Sequence, residues 1–269
     1  MKKLLLIGCI AFATAATAQM KQGRVVYQRT IQMNLPRFQG PDANVPDLPR
    51  SRTDNFEVLF ANNQSLWQSI PDANEEANTV AGNGGGNFFR FGGTDDVAYY
   101  NFETGKHIDQ REIASRSFVI EDSITKLNWK LSNETKAILG HTAHKATAQS
   151  YGTRMQMVME NGEMKRQQVA DTSNVTAWFT TDVPVSVGPQ NFQGQLPGLI
   201  LELTLNNGRT VYKATEVSDK VNPKNIKEPK DGKRLTAAEF AKERDKIFEE
   251  MRRNMPNGGP GGRMRIVTQ

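Results

Sequence analysis

Apolar and polar positions alternate along much of this chain with the two-residue period of strands that bury one face. Gly23 to Met33 reads GRVVYQRTIQM, with Val25, Tyr27 and Ile31 on alternate positions, apart from Arg29. Phe56 to Phe60 and Ser65 to Ile70 predict a hairpin around Asn62-Asn63. Val97 to Asn101 and Lys106 to Glu112 predict another around Glu103-Thr104-Gly105. The β pattern continues in Ser117 to Glu121, Asn128 to Leu131 and Thr135 to Ala148. Met155, Met157 and Met159 then alternate along one face of a strand that turns at Asn161-Gly162 and returns through Gln168-Val169. Val175 to Asp182 is a further strand, and Leu199 to Leu205 pairs with Thr210 to Val217 across Asn206-Asn207-Gly208. Turn signals at this spacing describe an antiparallel meander of about ten strands.

Two stretches break the pattern inside an antiparallel β domain spanning residues 19–219. Residues 34–54 carry Pro36, Pro41, Pro46 and Pro49 and predict a loop or extended arm. Residues 71–96 carry Gly82, Gly84-Gly85-Gly86 and Gly92-Gly93 and predict a polar surface loop. A phosphate-cradling loop would need a following Lys-Ser/Thr, and Asn87-Phe88-Phe89-Arg90-Phe91 stands there instead. Residues 220–234 read as a linker, 235–255 as an amphipathic helix and 256–269 as a flexible basic tail. The helix has a complete start: Thr236 and Glu239 form a capping box, with Leu235 and Phe240 in staple positions. Phe240, Ile247, Phe248 and Met251 supply its apolar stripe. The fold expected is therefore mainly β, a curved antiparallel sheet with one C-terminal α-helix. By analogy it suggests the half-barrel of periplasmic lipoprotein carriers, whose concave face holds acyl chains.

The first 18 residues fit none of this. Lys2 and Lys3 precede an apolar run, Leu4 to Phe12, and small residues lead to Ala16-Thr17-Ala18. A basic start, a short apolar stretch and an Ala-x-Ala end describe a secretory signal peptide cut before Gln19. The run is too short to cross a bilayer, which takes roughly 20 apolar residues. Leu6-Ile7-Gly8-Cys9 resembles a lipoprotein cleavage box, but only Leu4 to Gly8 would then form the apolar region. Cys9 is the one cysteine, so its loss with the leader removes disulfides and thiolate metal or redox motifs from the mature chain. No later segment reaches membrane-spanning length. An exported location follows, periplasmic or at the outer membrane.

Charge is unevenly spread. The full chain carries 34 basic and 29 acidic residues, and loss of Lys2 and Lys3 leaves 32 against 29, or +3. From Lys220 onward 13 basic residues face 7 acidic ones, while 19–219 holds 19 against 22. The basic C-terminal region could attract anionic lipid head groups or an acidic partner. A solvated helix face accounts for the same residues without one. An exported chain without a nucleic-acid motif excludes nucleic acid as the expected partner.

From Ile124 onward the sequence resembles the GLPGLI family, exported proteins of Gram-negative bacteria with no established activity. The resemblance runs through Trp129-Lys130-Leu131, Glu134 to Gly140, and Lys145-Ala146-Thr147. It continues in Ala177-Trp178-Phe179-Thr180-Thr181-Asp182-Val183-Pro184 and closes with Gly188-Pro189 and Leu196-Pro197-Gly198-Leu199-Ile200-Leu201. It thus spans Ile124 to Leu201. Where the name motif opens with Gly, this chain has Gln195, preceded by Gly194. A positive-φ turn there is expected to fall on Gly194. Without the family, Pro184, Gly188-Pro189 and Pro197-Gly198 read as punctuation of a rigid rim loop over which Trp178 would pack.

Catalytic chemistry is sparse. The chain has three histidines, His107, His141 and His144, and no GxSxG elbow, so a covalent hydrolase is not expected. Glu75-Glu76, Asp95-Asp96 and Glu121-Asp122 are adjacent pairs, which strands send to opposite sides. The sharpest alternative is a copper-type site drawing on His141, His144, Met155, Met157 and Met159. Against it, His141 and His144 are three apart on a strand, and alternating Met also serves as core filler. No cofactor is expected. Three function classes follow: a non-enzymatic envelope protein binding a partner or apolar ligand on its sheet, a metal handler, or an enzyme with an unrecognised site. The first prediction concerns the leader: intact-mass analysis of the exported protein should find Gln19 first, and a lipidated Cys9 would overturn it.

Overall fold

The computed structural model describes residues 20–32, 51–71, 96–160 and 163–254. The leader, most of the two Pro- and Gly-rich loops, the Asn161-Gly162 turn and the 256–269 tail lie outside the described residues. The described chain is mainly β, a single sheet not closed into a barrel, with one C-terminal helix. Its strands are β1 (Gly23–Gln32), β2 (Ser51–Ala61), β3 (Gln64–Ser69), β4 (Val97–Asn101), β5 (Lys106–Ile113) and β6 (Arg116–Ser123). They continue as β7 (Lys130–Ile138), β8 (His141–Glu160), β9 (Glu163–Thr180), β10 (Leu199–Leu205), β11 (Thr210–Ser218) and β12 (Lys233–Thr236), followed by α1 (Ala237–Asn254). The sheet order is β12-β6-β5-β4-β3-β2-β1-β11-β10-β9-β8-β7. Two meanders thus meet at β1, which pairs with β2 on one side and β11 on the other.

Several boundaries differ from the sequence pattern. Twelve strands replace about ten. Residues 51–54, expected in a loop, extend β2 because Thr53 and Asp54 pair with Thr30 and Arg29 of β1. The single stretch expected over Thr135 to Ala148 is two strands, split where Leu139 (φ 50°) and Gly140 (φ 81°) turn the chain back. The expected linker ends in β12, which pairs parallel, not antiparallel, with β6, Lys233 opposite Phe118 and Leu235 opposite Ile120. Pairing with β6 draws Leu235 and Thr236 into the strand, so the helix starts at Ala237.

Strand alternation gives the sheet an inner and an outer face. Val25, Tyr27, Val58, Phe60, Trp67, Tyr100, Ala177, Phe179, Leu203 and Tyr212 belong to one buried inner cluster. Phe56 stacks on Trp67 at 4.8 Å, and Tyr212 meets Trp67 edge-on at 6.1 Å. Such pairs add about 0.5–1.5 kcal/mol beyond the area they bury. At the far edge of the same face, Phe118 and Ile120 of β6 receive Phe240 and Ile247 of α1. The helix therefore docks on the sheet. Its first turn is closed by the capping box, with the Glu239 carboxylate accepting from the Thr236 backbone N–H at 2.8 Å. On the outer face, Leu59, Leu66, Tyr99, Ile108 and Val119 form a second cluster under Ile226.

Burial pushes the phenols of Tyr27, Tyr100 and Tyr212 above their ordinary value. A raised folded-state pKa stabilises fully below the unfolded value near 10 and loses that contribution above it, because the unfolded chain ionises first. Urea titrations should show unfolding free energy declining above about pH 10, by up to about 1.4 kcal/mol per pH unit for each such tyrosine. A flat alkaline profile would contradict the burial of these rings.

Candidate functional site

The Pro- and Gly-rich part of the family resemblance, Asp182 to Gly198, lies between the end of β9 and the start of β10. This 181–198 segment is compact. Val185 N–H donates to the Val183 carbonyl at 2.9 Å, and Val187 N–H to that of Val185 at 2.6 Å. Gly194 N–H donates to Ser186 at 2.7 Å and Gly198 N–H to Leu196 at 2.9 Å, while the Ser186 hydroxyl reaches the Leu196 carbonyl at 2.7 Å. Ile200 N–H closes onto Val187 at 2.9 Å.

Two glycines of the motif are fixed by contact. A Cβ on Gly198 would lie 2.1 Å from the Thr180 carbonyl oxygen, and one on Gly188 would lie 2.7 Å from that of Phe192. Gly194 has φ +72°, so the positive-φ turn falls there and not on Gln195. Gln195 has a different task. Its Oε1 accepts from Leu127 N–H at 3.0 Å and Trp129 Nε1 at 3.2 Å, and its Nε2 donates to the Thr125 carbonyl at 2.7 Å. One amide thereby fastens 125–129 to the loop.

The loop lies over the inner face. The buried Tyr27 hydroxyl donates to the Ile200 carbonyl at 2.5 Å, and the Tyr100 hydroxyl donates to that of Gln190 at 3.1 Å. The Tyr212 hydroxyl donates to the Gln190 side-chain oxygen. Ser65 donates to Gln193 Oε1 at 2.5 Å, both side chains being fully buried. Val183, Val187, Leu196, Leu199 and Ile200 complete the cluster. Pro189 is buried, whereas Pro184, Pro197 and Asp182 are exposed. The inner face expected to stand open for an acyl chain is therefore filled by the chain's own loop.

Trp178 packs, partly buried, against the cluster that the loop completes. Val175, Ala177 and Phe179 face inward, and strand alternation sends Trp178 to the outer face, opposite Lys145 and Glu202. There Lys136 Nζ sits 4.4 Å and Lys145 Nζ 5.9 Å from the ring centre. Lys136 also pairs with Glu202 at 2.9 Å, and Lys145 with Glu134 at 2.8 Å. The Lys145 hydrogen bond and charge, joined by Ser132, outweigh desolvation and hold the exposed Glu134 carboxyl below its usual range.

The proposed metal ligands are not brought together as a set. His141 and His144 fall on opposite faces of β8, since Ile138 opposes His141 and Thr135 opposes His144 in an unbroken register. His141 Nδ1 is 3.0 Å from Asp182 Oδ2, and the His144 ring lies 6.0 Å from that of Phe179. Met155, Met157 and Met159 occupy register positions opposite Gln168, Arg166 and Met164, ten or more residues further along β8 than either histidine. No group of three or more His, Cys, Asp or Glu positioned to hold a metal occurs among the described residues.

A further polar strip was not singled out by sequence. His107 stacks on Tyr100 at 4.2 Å and its Nε2 lies 2.8 Å from Asp109 Oδ1, while Arg111 takes Asp109 Oδ2 at 2.8 Å. Burial raises the Asp109 pKa, but hydrogen bonds and charge from His107 and Arg111 outweigh it and leave the carboxyl below its ordinary value. The i, i+2 spacing on one strand face is the signal that marks these three.

Residues 129–202 match a family described as a protein of unknown function (Porph_ging). No curated protein matches. Two solved structures of PNGF-II are similar to this chain: one with TM-score 0.51 at 15% identity, covering 85% of this chain and 33% of that one. The other has TM-score 0.49 at 17% identity, with 85% and 34% covered. This chain thus spans about a third of the length of those structures, and the likeness concerns the fold alone.

The loop geometry separates two glycines that composition treats alike. Gly198→Ala should cost at least ~3 kcal/mol in urea unfolding, since backbone must move to admit the methyl. Gly152→Ala, on β8 with nothing within 4 Å of the added atom, should stay within about 0.5 kcal/mol. Equal effects would contradict the seam.

Proposed function

We propose that this chain is a non-enzymatic exported envelope protein of the GLPGLI type that binds a protein partner on the outer face of its sheet, centred on Trp178. The leader pattern and the resemblance from Ile124 to Leu201 support export and family. The family match over 129–202, itself of unknown function, accords with both.

One observation carries the reading: a half-buried tryptophan held flat beneath Lys136 and Lys145 on an outer face, with both lysines already paired to carboxylates. Tryptophan is the residue most enriched at the energetic centres of interfaces, and long side chains already held in place lose less entropy on binding. The exposed large hydrophobics Leu139 and Tyr151 lie on the β7–β8 turn and β8, and Tyr151, opposite Thr172, shares the face of Trp178. The partner meets this face rather than adding a strand to β7. That edge is interrupted between Leu131 and Thr135 and carries Lys130, Glu134 and Lys136, features that blunt strand addition. The filled inner face supports a protein surface over an apolar ligand as the target.

Native mass spectrometry of protein cross-linked and purified from its own envelope should show a stoichiometric protein partner. Trp178→Ala, or Lys136→Glu where folding fails, should reduce that complex at least tenfold with unchanged circular dichroism. A wild-type chain without a partner, or a folded variant that keeps it, overturns the reading.

A further inference from the structure

Beyond β11 the chain crosses the outer face of the other half of the sheet. Ser218 Oγ accepts from Lys220 N–H at 3.2 Å, and Asn222 Oδ1 accepts from Lys224 N–H at 3.1 Å to cap the short turn Pro223–Asn225. Ile226 then plugs into the cluster of Leu59, Leu66, Ile108 and Val119. That anchor holds Lys224 and Lys227 on either side of it over a cleft of about 540 Å³. Its floor is Arg24, Glu57, Leu59 and Gln68, and its rim includes Lys220, Val221, Asn222 and Asn225.

The charge balance of this cleft is one-sided. Arg24, Lys220, Lys224 and Lys227 face one lining carboxylate, Glu57, and Arg24 is also held by Glu216 at 3.5 Å, so the uncompensated charge is that of the three lysines. That carboxylate is already satisfied: Oε2 accepts from Arg24 Nε at 2.5 Å and Oε1 from Gln68 Nε2 at 2.7 Å. Among the described residues Lys220, Lys224 and Lys227 have no acidic partner within salt-bridge distance. Glu228, next along the segment, is engaged by Lys106 at 3.4 Å and Arg234 at 3.3 Å. Lysine ammoniums are compact charges suited to phosphate and carboxylate, the Asn and Gln amides to hydroxyls, and Leu59 with Val221 to an apolar ring face.

From these features we infer that the cleft is a binding site for a sugar bearing two or more phosphate or carboxylate groups, either free or as the head group of a lipid. The site is independent of Trp178, which lies on the half of the sheet beyond β11.

Calorimetric titration of the mature chain with glucose 1,6-bisphosphate, against glucose as the neutral control, tests the inference. The bisphosphate should saturate at one site, weaken as salt rises, and lose at least tenfold in affinity in the Lys224→Ala/Lys227→Ala double variant. Trp178→Ala should leave the titration unchanged, which separates this site from the partner surface. Co-sedimentation with phosphatidylcholine vesicles carrying a bisphosphorylated glycolipid, but not with phosphatidylcholine alone, that disappears in the double variant would assign the lipid-borne source. Saturable bisphosphate binding without co-sedimentation would assign the free one. Binding no stronger than that of glucose, or a folded double variant that binds as the wild type does, would overturn the site.

Discussion

The arrangement depends on one backbone-to-backbone approach, that of Gly198 to the carbonyl of Thr180. Only a residue without a Cβ admits it, because an added carbon would lie 2.1 Å from the oxygen. With that seam closed, the 181–198 segment folds inward at the junction of β9 and β10, and the Gln190 carbonyl comes within reach of Tyr100 while that of Ile200, at the start of β10, meets Tyr27. Those phenols come from β1 and β4, 173 and 90 positions earlier in sequence than the carbonyls they meet. The loop therefore ties distant strands to one point, and an otherwise exposed aromatic face becomes a core. The family resemblance concentrates on this loop, and its geometry there is first a packing geometry.

That packing divides the molecule by task. The inner face is used up by the loop, by the 125–129 segment that Gln195 fastens and, at the far edge, by α1. The outer face is divided: the 219–228 segment covers the β1–β6 side, leaving a lysine-rimmed cleft, and the β7–β10 side carries Trp178 with its two lysines. The His107–Asp109–Arg111 strip, with both carboxylate oxygens occupied, ties alternate positions of β5 together beside Tyr100. Such a tie strengthens as local dielectric falls, provided its members are mutually satisfied.

Local features of the sequence translated well. Alternation in 23–31, the Asn62-Asn63 turn (both at positive φ) and the Thr236–Glu239 capping box need only neighbours along the chain. The turn at Gly194 was legible too, since a lone Gln at the motif's opening position leaves the adjacent glycine to adopt positive φ. What the chain could not announce was its long-range pairing. Nothing in KRLT of β12 says it will lie parallel to β6, because four residues carry no period to read. The bend at Leu139-Gly140 was hidden by apolar residues continuing on both sides. The side of the strand on which Trp178 stands was legible from Val175, Ala177 and Phe179. The cleft was invisible because Arg24, Glu57 and Gln68 come from three strands and its lysines from a segment some 150 positions further on.

The position of β1 has a consequence for how such a chain is made. Arg24 pairs with Leu59 on one side but with Ser218 on the other, nearly the whole described length away. A chain emerging amino end first can zip β1 to β6 into one meander while its right-hand neighbour is still unsynthesised. Until residues 210–218 arrive, β1 offers a bare hydrogen-bonding edge and an uncovered aromatic surface. Closure over such a separation is slow, and the waiting intermediate is of the kind that aggregates unless held. Assembly of this sheet thus places its riskiest interval just before β11 is delivered, a point at which a holding chaperone would matter most.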